Sequence, residues 1–275
     1  MNEKDEEGRN PILNAIDYIY DDNNKNEIFK LLIKYANQHQ IILKLNEKDN
    51  YGNYPLLKAI SYNKIEIVKL LIEYANQHQI ILKLNENDDN GYYPLLSVVS
   101  ENNIELVKLL IEYANQHEII LEFNEKDNNH GYYPLLKAIS RNNIKIVKLL
   151  IEYANQHQII LELNEKDKNE EYPLLRAISH SNIELVKLLI EYANQHQIIL
   201  ELKEKDKDGY YPLLKAITYN NIEIVKLLIE YANQHQLILE YDKEDLYLRT
   251  KPEMQKILEN YEEEKGMDER KKVTE

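Results

Sequence analysis

Six histidines recur at a fixed interval along this chain: His39, His78, His117, His157, His196 and His235. Neutral imidazole is the commonest metal ligand and the usual proton carrier near pH 7, so a regular histidine ladder invites a reading as metal or acid–base chemistry. A second set is acidic, Asp49, Asp88, Asp89, Asp127, Asp167, Asp206 and Asp208, and its neighbours have the look of catalytic carboxylate pairs. Both readings fail on spacing. Ligands of one ion must converge to ~2.0–2.1 Å from it, whereas equivalent positions in stacked helical units stand ~8–10 Å apart. One histidine per unit therefore builds no site within the chain, and we read the ladder as structural. The acids fall where the chain turns, and a carboxylate there caps its own backbone. His130 and His180 lie in turns as surface polar residues.

No P-loop, dinucleotide fingerprint, nucleophile elbow, H-E-x-x-H or EF-hand loop occurs. With no cysteine, thiol nucleophiles and disulfides are excluded, and the chain tolerates a reducing compartment. The expectation is a protein that is not an enzyme and that needs no cofactor and no metal.

The histidines belong to a longer phrase. Y-A-N-Q-H begins at Tyr35, Tyr74, Tyr113, Tyr153, Tyr192 and Tyr231, at intervals of 39 residues and once of 40. Pro-(Leu/Ile)-Leu runs in step with it from Pro11, Pro55, Pro94, Pro134, Pro173 and Pro212. A fixed period of this length means stacked units, each too small to bury its own apolar face. In the second unit, Asp49-Asn50-Tyr51-Gly52 is turn chemistry, with Gly supplying positive φ. Pro55 suits the first helical position, and Leu56, Leu57, Ala59 and Ile60 give a short helix an apolar face. Asn63 tolerates the left-handed conformation that ends helices. From about Lys64, Ile65, Val68, Leu71, Ile72 and Ala75 form one stripe of a second helix. Glu66 with Lys69, and Lys69 with Glu73, are spaced for surface ion pairs.

These residues resemble the ankyrin repeat, whose usual pattern D-x-x-G-x-T-P-L-H-x-A-A-x-x-G-H-x-E-I-V-x-L-L-L lies on Asp49 to Ile72 without a gap. The resemblance covers about Glu6 to Tyr241 and implies an all-α, ankyrin-like α-solenoid of helix–turn–helix repeats. Departures matter too. The family's Thr before Pro is Tyr54, Tyr93, Tyr133, Tyr172 and Tyr211, and its His after P-L is Leu57, Leu96, Leu136, Leu175 and Leu214. Asn63, Asn102, Asn142, Ser181 and Asn220 replace the glycine between helices, and Glu170 replaces the fifth turn glycine, so that turn is expected to differ in conformation. The period exceeds the family's 33 by six residues. The surplus follows the second helix, which is expected to run on through about Gln79. Ile80, Ile81 and Leu82, rich in β-branching, then suit an extended strap buried along the outer side.

We assign six repeats to residues 1–245 (about 6–48, 49–87, 88–126, 127–166, 167–205 and 206–245), a capping partial repeat to 246–265 and a disordered tail to 266–275. The first repeat carries extra polar residues around Asp17, Asp21, Asp22 and Asn23. Near the end, Gln255 and Glu259 stand where Val225 and Ile229 stood one unit earlier, as a terminal cap requires. The abundance of Asn, Ile, Lys and Tyr, 22 of the last, reads as an imprint of base composition.

A net charge of −14 argues against nucleic acid, which needs a clustered basic face. No run approaches the ~18 apolar residues of a membrane helix, and the charged first residues hold no secretory segment. A monomer of the cytosol, or the nucleus, is the expectation. The resemblance implies docking of another protein on the turn tips and first helices, a concave groove in the family. Carried over position by position, that face is Asn50, Tyr51, Asn53, Tyr62, Asp89, Tyr92, Glu101, Asn129, Tyr132, Arg141, Lys168, His180, Lys207, Tyr210 and Tyr219. These positions vary between units while the core scarcely changes. Lys44 and Lys83 give way to Glu122, Glu162, Glu201 and Glu240 on the strap, an acidity that suits a basic partner. The function read from this is a non-catalytic adaptor or scaffold; the alternative is a structural or self-associating array with no dedicated groove.

Overall fold

Each repeat opens on an aspartate that folds the chain back over it. The Oδ1 of Asp49 accepts the backbone N–H groups of Tyr51 and Asn53 at 2.9 and 2.8 Å, and the Asp49 N–H closes the finger on the Asn53 carbonyl at 2.8 Å. The same turn recurs at Asp88, Asp127, Asp167 and Asp206. The computed structural model describes residues 3–17, 26–239 and 252–274, the last with side chains through 263. Asp21, Asp22, Asn23, Glu240 and residues 246–251 of the expected cap lie outside these.

Every described element is helical. Pro11–Asp17 (α1), Pro55–Ser61 (α3), Pro94–Ser100 (α5), Pro134–Ser140 (α7), Pro173–Ser179 (α9) and Pro212–Thr218 (α11) are the short first helices of the repeats. Their partners are Asn26–Gln38 (α2), Ile65–Gln77 (α4), Ile104–Gln116 (α6), Ile144–His157 (α8), Ile183–His196 (α10) and Ile222–Gln234 (α12). A final helix, Pro252–Thr274 (α13), follows. Asn63, Asn102, Asn142, Ser181 and Asn220 turn the chain between helices with φ of 51–55°, as their side chains predict. Asn103, Asn143, Asn182 and Asn221 then cap the second helices, accepting backbone N–H groups.

The chain forms two compact units, Met1–Leu161 and Glu162–Glu275. In the first, α1, α3, α5 and α7 stack in one row and α2, α4, α6 and α8 in another. In the second, α9 packs on α11, α10 on α12, and α13 on α12. Repeated Leu, Ile, Val and Ala from both helices fill each core. Met254, Leu258 and Tyr261 of α13 are buried while Glu259 is exposed.

Four expectations need correction. The second helix stops at Gln77 instead of running through Gln79, because Gln79 itself turns left-handed at φ +56°. The Ile80 N–H reaches back to the Ala75 carbonyl (2.8 Å) and the Gln79 N–H to Asn76 (3.3 Å), a helix-ending pair that glutamine forms here without glycine. The strap is buried on one face only. Leu82 and Leu84 are covered, but Ile81 just before them is 53% exposed, and Ile42, Ile120, Ile160, Ile199 and Ile238 behave alike. An extended segment sends alternate side chains to opposite sides, and only one side meets the core. The fifth finger keeps the common conformation: Glu170 has φ +59° and gives its N–H to the Asp167 carbonyl at 3.0 Å, as Gly52 does to Asp49. Its two neighbours hold the turn, so the non-glycine residue takes the strain. Finally, α13 carries the backbone of 266–274 in helix where a disordered tail was expected; Met, Glu, Lys and Arg there are good helix formers.

Candidate functional site

The tyrosines divide into a population turned to the core and straps and one that reaches solvent. One population holds the straps. Tyr54 buries its ring completely and donates its hydroxyl to the carbonyls of Lys83 (3.0 Å) and Glu86 (2.9 Å). Tyr93 and Tyr172 do the same to Glu125 and Glu201. Apart from Tyr35, which is 49% exposed, the Y-A-N-Q-H tyrosines work on the preceding repeat. The Tyr74 hydroxyl accepts the Leu43 N–H at 3.2 Å and donates to the Ile41 carbonyl at 3.1 Å. Tyr113, Tyr153 and Tyr231 repeat this on Leu82, Leu121 and Leu200, and Tyr261 supplies it for Leu239. Burial drives the phenols of Tyr54, Tyr93 and Tyr172 far above their ordinary pKa, so they remain donors. Tyrosine at the family's threonine position thus exchanges a helix cap for a clasp. Its abundance has a structural cause beyond base composition, and so does that of asparagine: Asn46 and Asn85 bridge successive straps through Ile81 and Ile120.

The histidine ladder is part of the same framework. His117 stacks on Tyr113, with ring centroids 4.2 Å apart, and its Nε2 meets Asn76 Oδ1 of the preceding repeat at 2.9 Å. His78, His157 and His235 repeat both contacts. Each of these four imidazoles is committed to a ring and an amide, and no His, Asp or Glu group among the described residues converges as a metal site.

The second tyrosine population lies on the fingers and first helices. Tyr51 is 60% and Tyr219 50% exposed, and Tyr62, Tyr92, Tyr132 and Tyr210 are half-buried. Asn50, Asp89, Glu101, Asn129, Arg141, Lys168, His180 and Lys207 are exposed, and Asn53 is half-buried. All fifteen positions chosen from the sequence therefore reach solvent. Fingers are zipped to one another by main-chain bonds: Asn50 N–H to the Glu7 carbonyl, Asp89 to Tyr51, Asn128 to Asn90, and Lys207 to Asn169. Several candidates are engaged within the protein. Tyr62 donates to Asp17 at 2.9 Å, Arg141 to the Ser100 carbonyl at 2.8 Å, and Lys137 lies 4.3 Å above the Tyr132 ring.

In the first unit this face carries a hollow of about 310 Å³ centred on α5. Asn53, Tyr92, Glu101 and Arg141 line it, as the sequence reading would have it. Ser61 and Ser100, on the face that the resemblance implied, line it too, and Leu57, Asp88, Ser97 and Lys137 were missed. The signal was there: the position held by Lys58, Lys137, Arg176 and Lys215 is Ser97 in the third repeat. Burial raises the carboxyl pKa of Glu101, and Arg141 and Lys137 partly oppose that. On the strap, Lys44 and Lys83 pair locally with Glu47 and Glu86 at 2.6 and 2.5 Å, and Glu122 accepts backbone N–H groups.

The fingers and first helices thus present aromatic area, amides and charges of both signs to solvent. The family profile described as "Ankyrin repeats (3 copies)" matches residues 1–81, 77–160 and 155–238. Among curated proteins, none matches this chain.

Proposed function

The chain belongs to the ankyrin-repeat family, whose repeats are generally protein-interaction modules, and we propose that it is a non-catalytic adaptor that binds a partner protein through its fingers and first helices. The observation that carries this reading is the contrast between the two tyrosine populations. Tyrosines facing the core and straps are buried and hydrogen-bonded, whereas Tyr51 and Tyr219 stand on the finger and first-helix face with half or more of their surface in water. Exposed tyrosine provides rigid amphipathic area at small entropic cost, which is why it concentrates at binding hot spots. On the fingers and first helices of each unit, the varied residues Asp89, Glu101, Arg141, Lys168, His180 and Lys207 supply the differences by which a partner is chosen.

In this reading the protein is a monomer of the cytosol or nucleus. Among the described residues no helix is long and apolar enough to cross a membrane. The deciding experiment is affinity capture from native lysate with wild type and with a Tyr51→Ala, Arg141→Ala, Tyr219→Ala variant. These side chains are exposed, so circular dichroism should show an unchanged fold. Partners held by wild type and lost by the variant support the adaptor reading. Identical capture by both proteins, or capture of the chain itself alone, would move the assignment to a structural or self-associating array.

A further inference from the structure

The first helix carries a cation at its fourth position in repeats 2, 4, 5 and 6, as Lys58, Lys137, Arg176 and Lys215, and the cation has a defined environment. In repeat 6, Lys215 Nζ lies 2.7 Å from Asp206 Oδ2 of its own finger and 2.9 Å from Glu171 Oε1 of the preceding repeat. The ring of Tyr210, four residues after Asp206, stands 5.8 Å away. Arg176 likewise contacts Asp167 at 3.3 Å, and Lys137 lies over Tyr132.

Repeat 3 keeps the finger aspartate and the tyrosine beside this cation and lacks the cation. Asp88 stands where Asp206 does, Tyr92 where Tyr210 does, and Asn53 of the preceding repeat where Glu171 does. Ser97 is too short to reach any of them, and the space is the hollow of about 310 Å³. That is some ten times the ~30 Å³ of a water molecule. Asp88 uses Oδ1 for the N–H groups of Asn90 and Tyr92, both at 2.9 Å, and meets no cation among the described residues. Burial accordingly raises its carboxyl pKa. Independently, Ser100 lines the same hollow at 8% exposure, and its Oγ has no hydrogen-bond partner. A buried hydroxyl of this kind is costly unless something fills it.

We propose that the hollow of repeat 3 receives a lysine or arginine side chain from an extended segment of the partner, held by Asp88, Tyr92 and Asn53 with the hydroxyls of Ser97 and Ser100. The partner's cation replaces in trans the one that the other repeats carry in cis. Lys137 and Arg141 also line the hollow, and the Glu101 carboxylate beside them offsets part of their charge, which leaves Asp88 as the acceptor on the repeat-3 side. This rests on the partner-binding reading of the same face and specifies the partner's chemistry.

The test titrates the full chain, labelled with 15N, with N-acetyl-lysine N-methylamide and with its norleucine and glutamate counterparts. Saturable shifts at Tyr92, Ser97 and Ser100 are expected with the lysine compound and none with norleucine. Ser97→Lys restores the residue type of the neighbouring repeats and should abolish the response. Asp88→Asn keeps the finger turn and should weaken affinity at least tenfold. Absence of saturable shifts, equal shifts with norleucine, stronger binding of the glutamate compound, or binding that survives Ser97→Lys would each overturn the proposal. If thermal melting shows Ser97→Lys unfolded, the Asp88→Asn result decides alone. The fragment needs no cellular partner. Its failure therefore leaves the adaptor reading to the capture experiment, while fragment binding with null capture counts against the adaptor reading alone.

Discussion

The hydroxyl of Tyr113 lies 3.0 Å from the backbone N–H of Leu82, and the same oxygen points to the Ile80 carbonyl at 3.4 Å. One side chain thus ends the loneliness of a buried strap N–H in the preceding repeat, and its ring is covered by His117. Tyr113→Phe keeps the ring and leaves the Leu82 N–H buried without an acceptor, at about 1–3 kcal/mol. Tyr51→Phe, on an exposed ring, should change stability by less than about 0.5 kcal/mol. Urea unfolding of the two variants makes the comparison; equal midpoints would remove the clasp from the list of stabilising contacts.

The histidines should behave as framework. His117→Gln loses a stacked ring and one half-exposed hydrogen bond, so we expect a destabilisation of about 1 kcal/mol. EDTA should leave the melting temperature of wild type unchanged, and zinc should add nothing saturable. A chelator-sensitive melt would restore the metal reading of the ladder.

Positive φ separates three glycine-position variants by sign. Glu170 holds φ +59° on an exposed turn, so Glu170→Gly relieves left-handed strain of about 1 kcal/mol, less part of that for added chain entropy. Its ion pair with Lys166 is long, 3.9 Å, and contributes little. Gly52→Ala should destabilise strongly, because a Cβ there would stand 2.9 Å from Asp88 Cα and Asp89 N, both backbone atoms. Gly209→Ala, with φ +84° but nothing within 4 Å, should suffer only the conformational part. Thermal melts that rank Gly52→Ala as mild as Gly209→Ala would refute the packing argument.

How legible this molecule was depends on the range of the interactions involved. The proline at the head of each first helix, the left-handed Asn63 and the Asp49 turn are local devices, and the pattern alone placed them. What it missed is longer in reach. The Tyr54 hydroxyl closes on a carbonyl 32 residues ahead, and Tyr74 on one 33 residues behind, so composition made their abundance look incidental. Gln79 misled because only its surroundings reveal that it stands at a glycine's position. On the candidate face, varied residues showed which positions reach solvent; the hollow needed the structure, since it arises where Ser97 fails to fill what its neighbours fill.

Lys215 gives the last expectation, and it concerns pH. The residue is only 6% exposed, and its ammonium is held by Asp206 and Glu171. Burial alone would lower its pKa, but the hydrogen bonds and charges of the two carboxylates outweigh that and hold it above the ordinary 10.5. A lysine whose folded pKa exceeds its unfolded one stabilises the fold fully below the unfolded value, and that contribution fades as pH rises through the folded value. Lys215→Met takes the cation from the buried carboxylate of Asp206, while Glu171 keeps Arg176, and should cost about 3 kcal/mol at neutral pH. The stability gap between wild type and variant should then be flat from pH 7 to 10 and narrow only above about 10.5, as measured by paired urea titrations. Using the difference between the two proteins cancels the titration of tyrosines common to both. A gap that closes before pH 10 would mean that Lys215 loses its proton early, and that the two carboxylates fail to hold the ammonium that the geometry gives them.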